Sequence, residues 1–347
     1  MPELKNNRFI NACFRESVDR TPVWMMRQAG RYLPEYLESR KKAPNFMDFC
    51  KQPELCCEVT MQPLDRFPLD ASIIFSDILT IPDAMGMDLN FIQGVGPVFN
   101  DPIRSSADLN KLDLNNTTEK CQYVYDAINL VKKELDNKLP LIGFAGSPWT
   151  LATYMVEGQG TKTFDVIRQM LYRDPDLLSQ ILQAITDSLV DYLNAQIAAG
   201  VDAIMIFDSW GGVLSPFTYE SFSLKYMREI ISKLNREVDG KKIPVIMFTK
   251  GGGLWLENQV TSGADVLGLD WTIDIVEAKR RVGNKAALQG NLDPAFLFAK
   301  PTAIKQEVKR ILSAYNGAPG HIFNLGHGIH KDTPIEGVEA MFAALGE

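Results

Sequence analysis

The chain has 347 residues, 46% hydrophobic and 23% charged, the balance of a globular protein with a full-sized core. A net charge of −7 excludes a broad basic face for nucleic acid, and five cysteines, odd in number and without a C-x-x-C pair, speak against a disulfide framework and for a reducing compartment. The start, Met1 to Asn7, lacks the basic-then-apolar pattern of a signal peptide, and no apolar run is long enough to cross a bilayer, so the expected setting is the cytoplasm without a membrane segment.

In chain order, the first informative stretch is Pro22 to Pro34. Its apolar run, Val23 to Met26, suits a buried strand, and two arginines, Arg27 and Arg31, follow around Gly30. Paired cations at the end of a buried strand are costly unless an anion sits there, and the planar arginine fork suits carboxylates. Two readings stay open here: a clamp for an acidic small molecule, or a surface turn whose arginines face water. Seven further short apolar runs follow: Ala71 to Ile74, Leu141 to Ala145, Ala203 to Phe207, Val245 to Phe248, Val266 to Leu269, Ala287 to Gln289 and Ile322 to Leu325. Helical stripes separate most of them. One is Leu177, Leu178, Ile181, Leu182, Ile185, Leu189, Leu193 and Ile197, stopped by Gly200; another is Ile304, Val308, Ile311 and Leu312, ending near Gly317. Between the second and third runs, 89–99 reads as a hairpin with a glycine turn. A polar stretch follows to Asn116, then a helix carrying Cys121, Val124, Ile128, Val131 and Leu135.

Eight strands alternating with helices predict an α/β fold, a (β/α)₈ TIM barrel forming a single domain over 1–347. The alternative, an open doubly wound sheet, would carry a glycine-rich turn after its first strand, and none is present. Barrel enzymes place their sites at the C-terminal strand ends. Those ends read Arg27 and Arg31; Phe75-Ser76-Asp77; Gly146-Ser147-Pro148-Trp149; Asp208-Ser209-Trp210; Thr249-Lys250 and Gly251 to Gly253; Asp270-Trp271; Asn291-Leu292-Asp293; and Gly326-His327-Gly328. Each has a plainer reading. Asp77 is also placed to cap a helix. Ser147 before Pro148 reads as a cap, and Ser209 lacks a G-x-S-x-G elbow. Tyr154 suits ordinary packing, and the glycine triplet suits a tight loop. His321, His327 and His330 fall within ten residues, but with no cysteine near, a zinc site ranks below a hydrogen-bonding role for His327.

These pieces together resemble the uroporphyrinogen decarboxylase family, from about Arg8 to about Ala343. The most specific are Pro-Val-Trp-Met-Met-Arg-Gln-Ala-Gly-Arg-Tyr at 22–32 and Phe-Ser-Asp-Ile-Leu at 75–79. They are supported by 143–150, 153–158, 207–212 and 324–328. The resemblance implies a cofactor-free carboxy-lyase that turns the four acetate arms of uroporphyrinogen III into methyls, and a homodimeric barrel with a deep cleft. It implies substrate contacts at Arg27, Gln28, Ala29, Gly30, Arg31, Asp77, Tyr154, Ser209 and His327, with Asp77 and Arg27 catalytic and no metal. Arg40, Phe46, Phe144 and Phe207 carry over more weakly. The chemistry wants these types: arginines for an eightfold carboxylate, and one acid to accept converging pyrrole N–H groups and stabilise a ring cation.

Two rivals use the same scaffold or pocket. Relatives that move methyl groups between corrinoids and thiols use zinc held by a His-x-Cys at the fifth strand end and a later cysteine; here that strand ends Phe248-Thr249-Lys250, and no cysteine follows Cys121. A non-catalytic tetrapyrrole carrier would need arginines and apolar walls but no central acid.

Overall fold

The computed structural model describes residues 3–92 and 94–346. Seven parallel strands form one curled sheet in chain order: β1 (Ser72–Ile73), β2 (Leu141–Gly146), β3 (Ala203–Asp208), β4 (Val245–Thr249), β5 (Val266–Gly268), β6 (Ala287–Gln289) and β7 (His321–Ile322). Helices cover the sheet outside and side chains fill it inside, so every residue of β2 to β6 is buried and the strands read as unbroken apolar runs.

The predicted first strand is not regular, yet its backbone joins the two sheet edges. Phe323 N–H donates to the Pro22 carbonyl at 2.8 Å, and Asp70 N–H donates to the Val23 carbonyl at 2.7 Å. Val23 bridges Phe323 in parallel. Pairing stops there because side-chain amides take over: Gln28 Oε1 accepts from Met25 N–H at 3.2 Å, and Asn324 Oδ1 accepts from Met26 N–H at 2.9 Å. The ring is closed by backbone bonds at Pro22 and Val23 and by side-chain amides beyond them, where the sequence pattern predicts a regular strand, and an open doubly wound sheet is excluded.

Helix ends follow local chemistry. Asp174 caps Pro175–Ala198 by accepting from Leu177 N–H, and the chain leaves that helix at Gly200 with φ +106°. Helix Pro301–Ser313 carries the second predicted stripe, and Gln122–Leu135 the third. The hairpin is an antiparallel pair, Leu89–Ile92 with Gly96–Phe99; Gln93, in its turn, lies outside the described residues.

At the N-terminal strand ends three acids recur, each just before a strand and each accepting a neighbouring strand's N–H. Asp70 accepts from Val23, Asp202 from Leu141 and Asp265 from Val245, at 2.8–2.9 Å. All three are neutralised: Asp70 by Arg8 and Arg20, Asp202 by Lys132, and Asp265 by Arg236 and Lys242. Charge at this end is paired and structural, as expected for the stability face of a barrel. Among the described residues no helix is long and apolar enough to cross a membrane, and all five cysteines are buried and free.

Candidate active site

At the opposite rim lies a cavity of about 160 Å³, lined by Met26, Arg27, Gln28, Ala29, Ile73, Ile74, Phe75, Ser76, Asp77, Ile78, Phe144, Phe207, Ser209 and His327. It is smaller than the ~300–1,000 Å³ that engulfs a drug-sized ligand, so it suits the centre of a larger molecule lying across its mouth. A larger groove, about 500 Å³ over residues 5–19, has its arginine already paired, Arg8 with Asp19 at 2.5 Å. Its other charged group, Lys5, is tied to Asp136.

Arg27 enters the cavity from a left-handed backbone, φ +63°, a conformation that costs a non-glycine residue about 1–3 kcal/mol and clusters at functional sites. Gln28 holds it there. Its buried amide accepts from Met25 N–H and donates to the Ala71 carbonyl at 3.3 Å, while Tyr32 O–H donates to its main-chain oxygen at 2.9 Å. Gln28 therefore serves the scaffold with its side chain and its backbone alike, since its own N–H donates to the Met25 carbonyl at 2.9 Å. A Cβ on Gly328 would strike the Arg27 stem, so glycine is needed for this close approach.

Asp77 is half-buried beside Phe75 and Ser76. Its Oδ1 accepts from Leu79 N–H at 2.8 Å, a local turn rather than the expected helix cap, since helix Thr80–Ala84 begins one residue later without a side-chain cap. Burial raises its pKa above the ordinary carboxylate range; the Leu79 N–H and the Arg27 charge pull it part of the way back. His327 is driven the other way, down to about 3, by burial first, then by Arg27 and Lys250. It is a neutral imidazole at working pH. Burial likewise lowers His321 to about 4; its Nε2 lies 2.9 Å from the Gly290 carbonyl, and its ring stacks on Tyr315, away from the cavity. His330 is exposed, against Phe298. The three histidines thus part company, and among the described residues no three of His, Cys, Asp and Glu converge as a metal site. The ring signals of His321 and His327 are expected to keep neutral-imidazole shifts from pH 8 to pH 5 in NMR; a protonation step in that interval for either contradicts this electrostatic picture.

The remaining predicted residues are placed unevenly. Ala29 and Ser209 line the cavity, as do the walls Phe144 and Phe207, whose rings meet edge to face at 5.6 Å. Gly30, Arg31 and Tyr154 stand outside the lining. Tyr154 is on helix Pro148–Glu157 within electrostatic reach of Asp77 and Arg27, and burial raises its pKa. Arg31 is exposed and makes no hydrogen bond or ion pair among the described residues; Arg27 makes none either. Phe46 stands outside the lining, its ring 6.2 Å from that of the lining Phe75 and 4.7 Å from that of Phe91. Arg40 donates to the Ala43 carbonyl at 2.8 Å and lies over Phe49, a packing role.

Sequence reasoning missed what lies beneath Ser209. Asp208 is fully buried and accepts from four hydroxyls: Ser147 at 2.6 Å, Ser223 at 2.8 Å, Thr150 at 3.1 Å and Thr249 at 3.3 Å. Burial raises its pKa and these donors oppose the shift. Ser147 also accepts from Thr150 N–H, capping the helix that carries Tyr154, as the Ser-Pro pair predicts. Four hydroxyl residues, Ser147 and Thr249 at strand ends and Thr150 and Ser223 on helical segments, were the available signal. Ser147→Ala loses both bonds and is expected to cost about 2 kcal/mol. Calorimetry showing an unchanged melting temperature would remove Ser147 from the framework.

The family model described as uroporphyrinogen decarboxylase (URO-D) matches residues 4–347. A uroporphyrinogen decarboxylase of Coxiella burnetii (strain Dugway 5J108-111) is 58% identical over 345 residues, covering 99% of this chain and 96% of the relative. One from Hydrogenovibrio crunogenus is 57% identical over 347 residues, covering 100% and 98%. Among solved structures, a methyltransferase from Methanosarcina mazei superposes with a TM-score of 0.83 at 22% identity, covering 99% of each chain, which speaks to the fold alone. With the family model spanning nearly the whole length, the chain belongs to the uroporphyrinogen decarboxylase family.

Proposed function

We propose that the rim cavity decarboxylates the acetate arms of uroporphyrinogen III, releasing four carbon dioxide molecules and coproporphyrinogen III without a cofactor. The observation that carries this is a single carboxylate, Asp77, held in an apolar cavity with one lining cation, Arg27. The macrocycle centre sits over Asp77, which accepts from converging pyrrole N–H groups. The carboxylate arms reach Arg27 and Arg31, while Ser209, His327 and Tyr154 position the ring edge. Protonation of a ring carbon makes a cation. The bond to the arm's carboxylate breaks, its electron pair neutralises the ring, and carbon dioxide leaves. A proton added to the resulting methylene and loss of the first proton leave a methyl. Asp77 lowers the energy of the cation. At ~4 Å and an effective dielectric of ~20 this is worth about 4 kcal/mol, roughly a thousandfold in rate.

We read the whole chain as one barrel domain working as a homodimer in the cytoplasm; one contiguous core, running from Phe9 to Ala344, supports the single domain. Anaerobic incubation with uroporphyrinogen III, followed by separation of the products by carboxylate number, tests the activity. Stepwise loss from eight to four carboxylates is expected. Tight binding with no carbon dioxide release would instead make the chain a carrier.

A further inference from the structure

The two ends of the barrel treat charge oppositely. At the N-terminal end the acids before the strands have their cations. At the cavity end a third cation besides Arg27 and Arg31 stands without an acid. Lys250 follows β4 and is half-buried; its backbone N–H donates to the Asp208 carbonyl at 3.2 Å, but its ammonium forms no hydrogen bond or ion pair among the described residues. Its ammonium lies between two indoles, 5.5 Å from the Trp210 ring centre and 5.8 Å from that of Trp271. The acid at the neighbouring strand end, Asp270, is engaged elsewhere, by Gly251 N–H and by the Thr272 amide and hydroxyl. Trp271 in turn meets the ring of the cavity-lining His327 at 6.5 Å.

Two indole faces hold an ammonium in place but do not neutralise it. A half-buried cation, fixed in position and left without a counter-charge beside a cavity that already has Arg27, calls for an anion from solution. We propose that Lys250 is a further substrate-binding residue, seating a peripheral carboxylate of the tetrapyrrole at the cavity mouth beside His327. The role rests on the decarboxylase reading above. Trp210 and Trp271 act as the residues that position Lys250, and their indole signals report on the ammonium between them.

The test compares Lys250→Met, Lys250→Gln and Lys250→Arg with the wild type, under anaerobic turnover of uroporphyrinogen at several salt concentrations. Loss of one charge-assisted contact at a partly exposed site is expected to raise KM about tenfold in the Met and Gln variants, with kcat within about twofold. The rise of KM with salt should be shallower in both. Lys250→Arg keeps the charge and the stacking and should return KM close to the wild-type value. Equal KM and equal salt dependence in Lys250→Gln and Lys250→Arg overturn the proposal, whatever the stability of Lys250→Met. A wild-type chain that releases no carbon dioxide overturns the decarboxylase reading and this proposal together. An active wild type with an unaltered Lys250→Gln overturns this proposal alone.

Discussion

Asp77→Asn is expected to lose about three orders of magnitude in turnover while folding as well as the wild type or slightly better. The rate loss follows from removing the negative charge opposite the ring cation, worth about 4 kcal/mol at contact distance. Asparagine keeps an oxygen for the Leu79 N–H, so the local turn survives. The stability sign follows from the direction of the shift. Burial raises the Asp77 pKa in the folded chain, so on lowering the pH the folded chain takes up this proton before the unfolded chain does. Above the folded value the ionised group therefore costs folding stability, and a neutral amide removes that cost at neutral pH. Turnover by the wild type should fall as pH drops through the same raised pKa, because a protonated Asp77 no longer stabilises a cation. Product separation and a thermal melt check both halves. Near-normal turnover by the variant removes Asp77 from the mechanism, and a lower melting temperature contradicts the assigned cost of its burial.

Arg27→Gln is expected to raise KM about 10–100-fold, the range for a charged group bonded to carboxylate in a partly dehydrated site. Arg31→Ala should also weaken binding, but only a few-fold, because Arg31 is exposed and outside the cavity lining, where ion pairs are worth about 0.2–1 kcal/mol. The ranking follows from placement: Gln28 and Gly328 hold Arg27 to one position over the cavity, and nothing comparable holds Arg31. Titrating the inactive Asp77→Asn background with substrate, with and without each change, measures binding apart from turnover. Equal losses for the two arginines, or a larger loss at Arg31, would contradict this ranking.

Much of the barrel is legible in the chain because strands buried on both faces need apolar side chains at every position. Val245 to Phe248 and Ala203 to Phe207 carry that signal with little ambiguity. The Val23 to Met26 run carries it too, and there it misleads. What ends the pairing is a side-chain amide 298 residues away, on Asn324, together with Gln28, and apolar periodicity cannot register either. The candidate site was legible where local order is enough: Arg27, Asp77, Ser209 and His327 each end a strand segment, and they meet in one cavity. Tyr154 and Arg31 share the motifs but not the lining, because sequence proximity does not fix how far a helix or loop stands off. The buried Asp208 and the unpaired Lys250 are both defined by what surrounds them in space. An aspartate beside Ser209 looks like its neighbours until four hydroxyls close on it, and a lysine after a strand looks like any surface lysine until its missing partner is seen.

The most direct measurement is a structure of Asp77→Asn or wild type with the reaction product bound. Its pyrrole nitrogens are expected within about 3 Å of the residue-77 side chain, with carboxylate arms reaching Arg27. A macrocycle seated elsewhere, or one whose nitrogens face solvent, would contradict a cation stabilised from beneath by one half-buried acid.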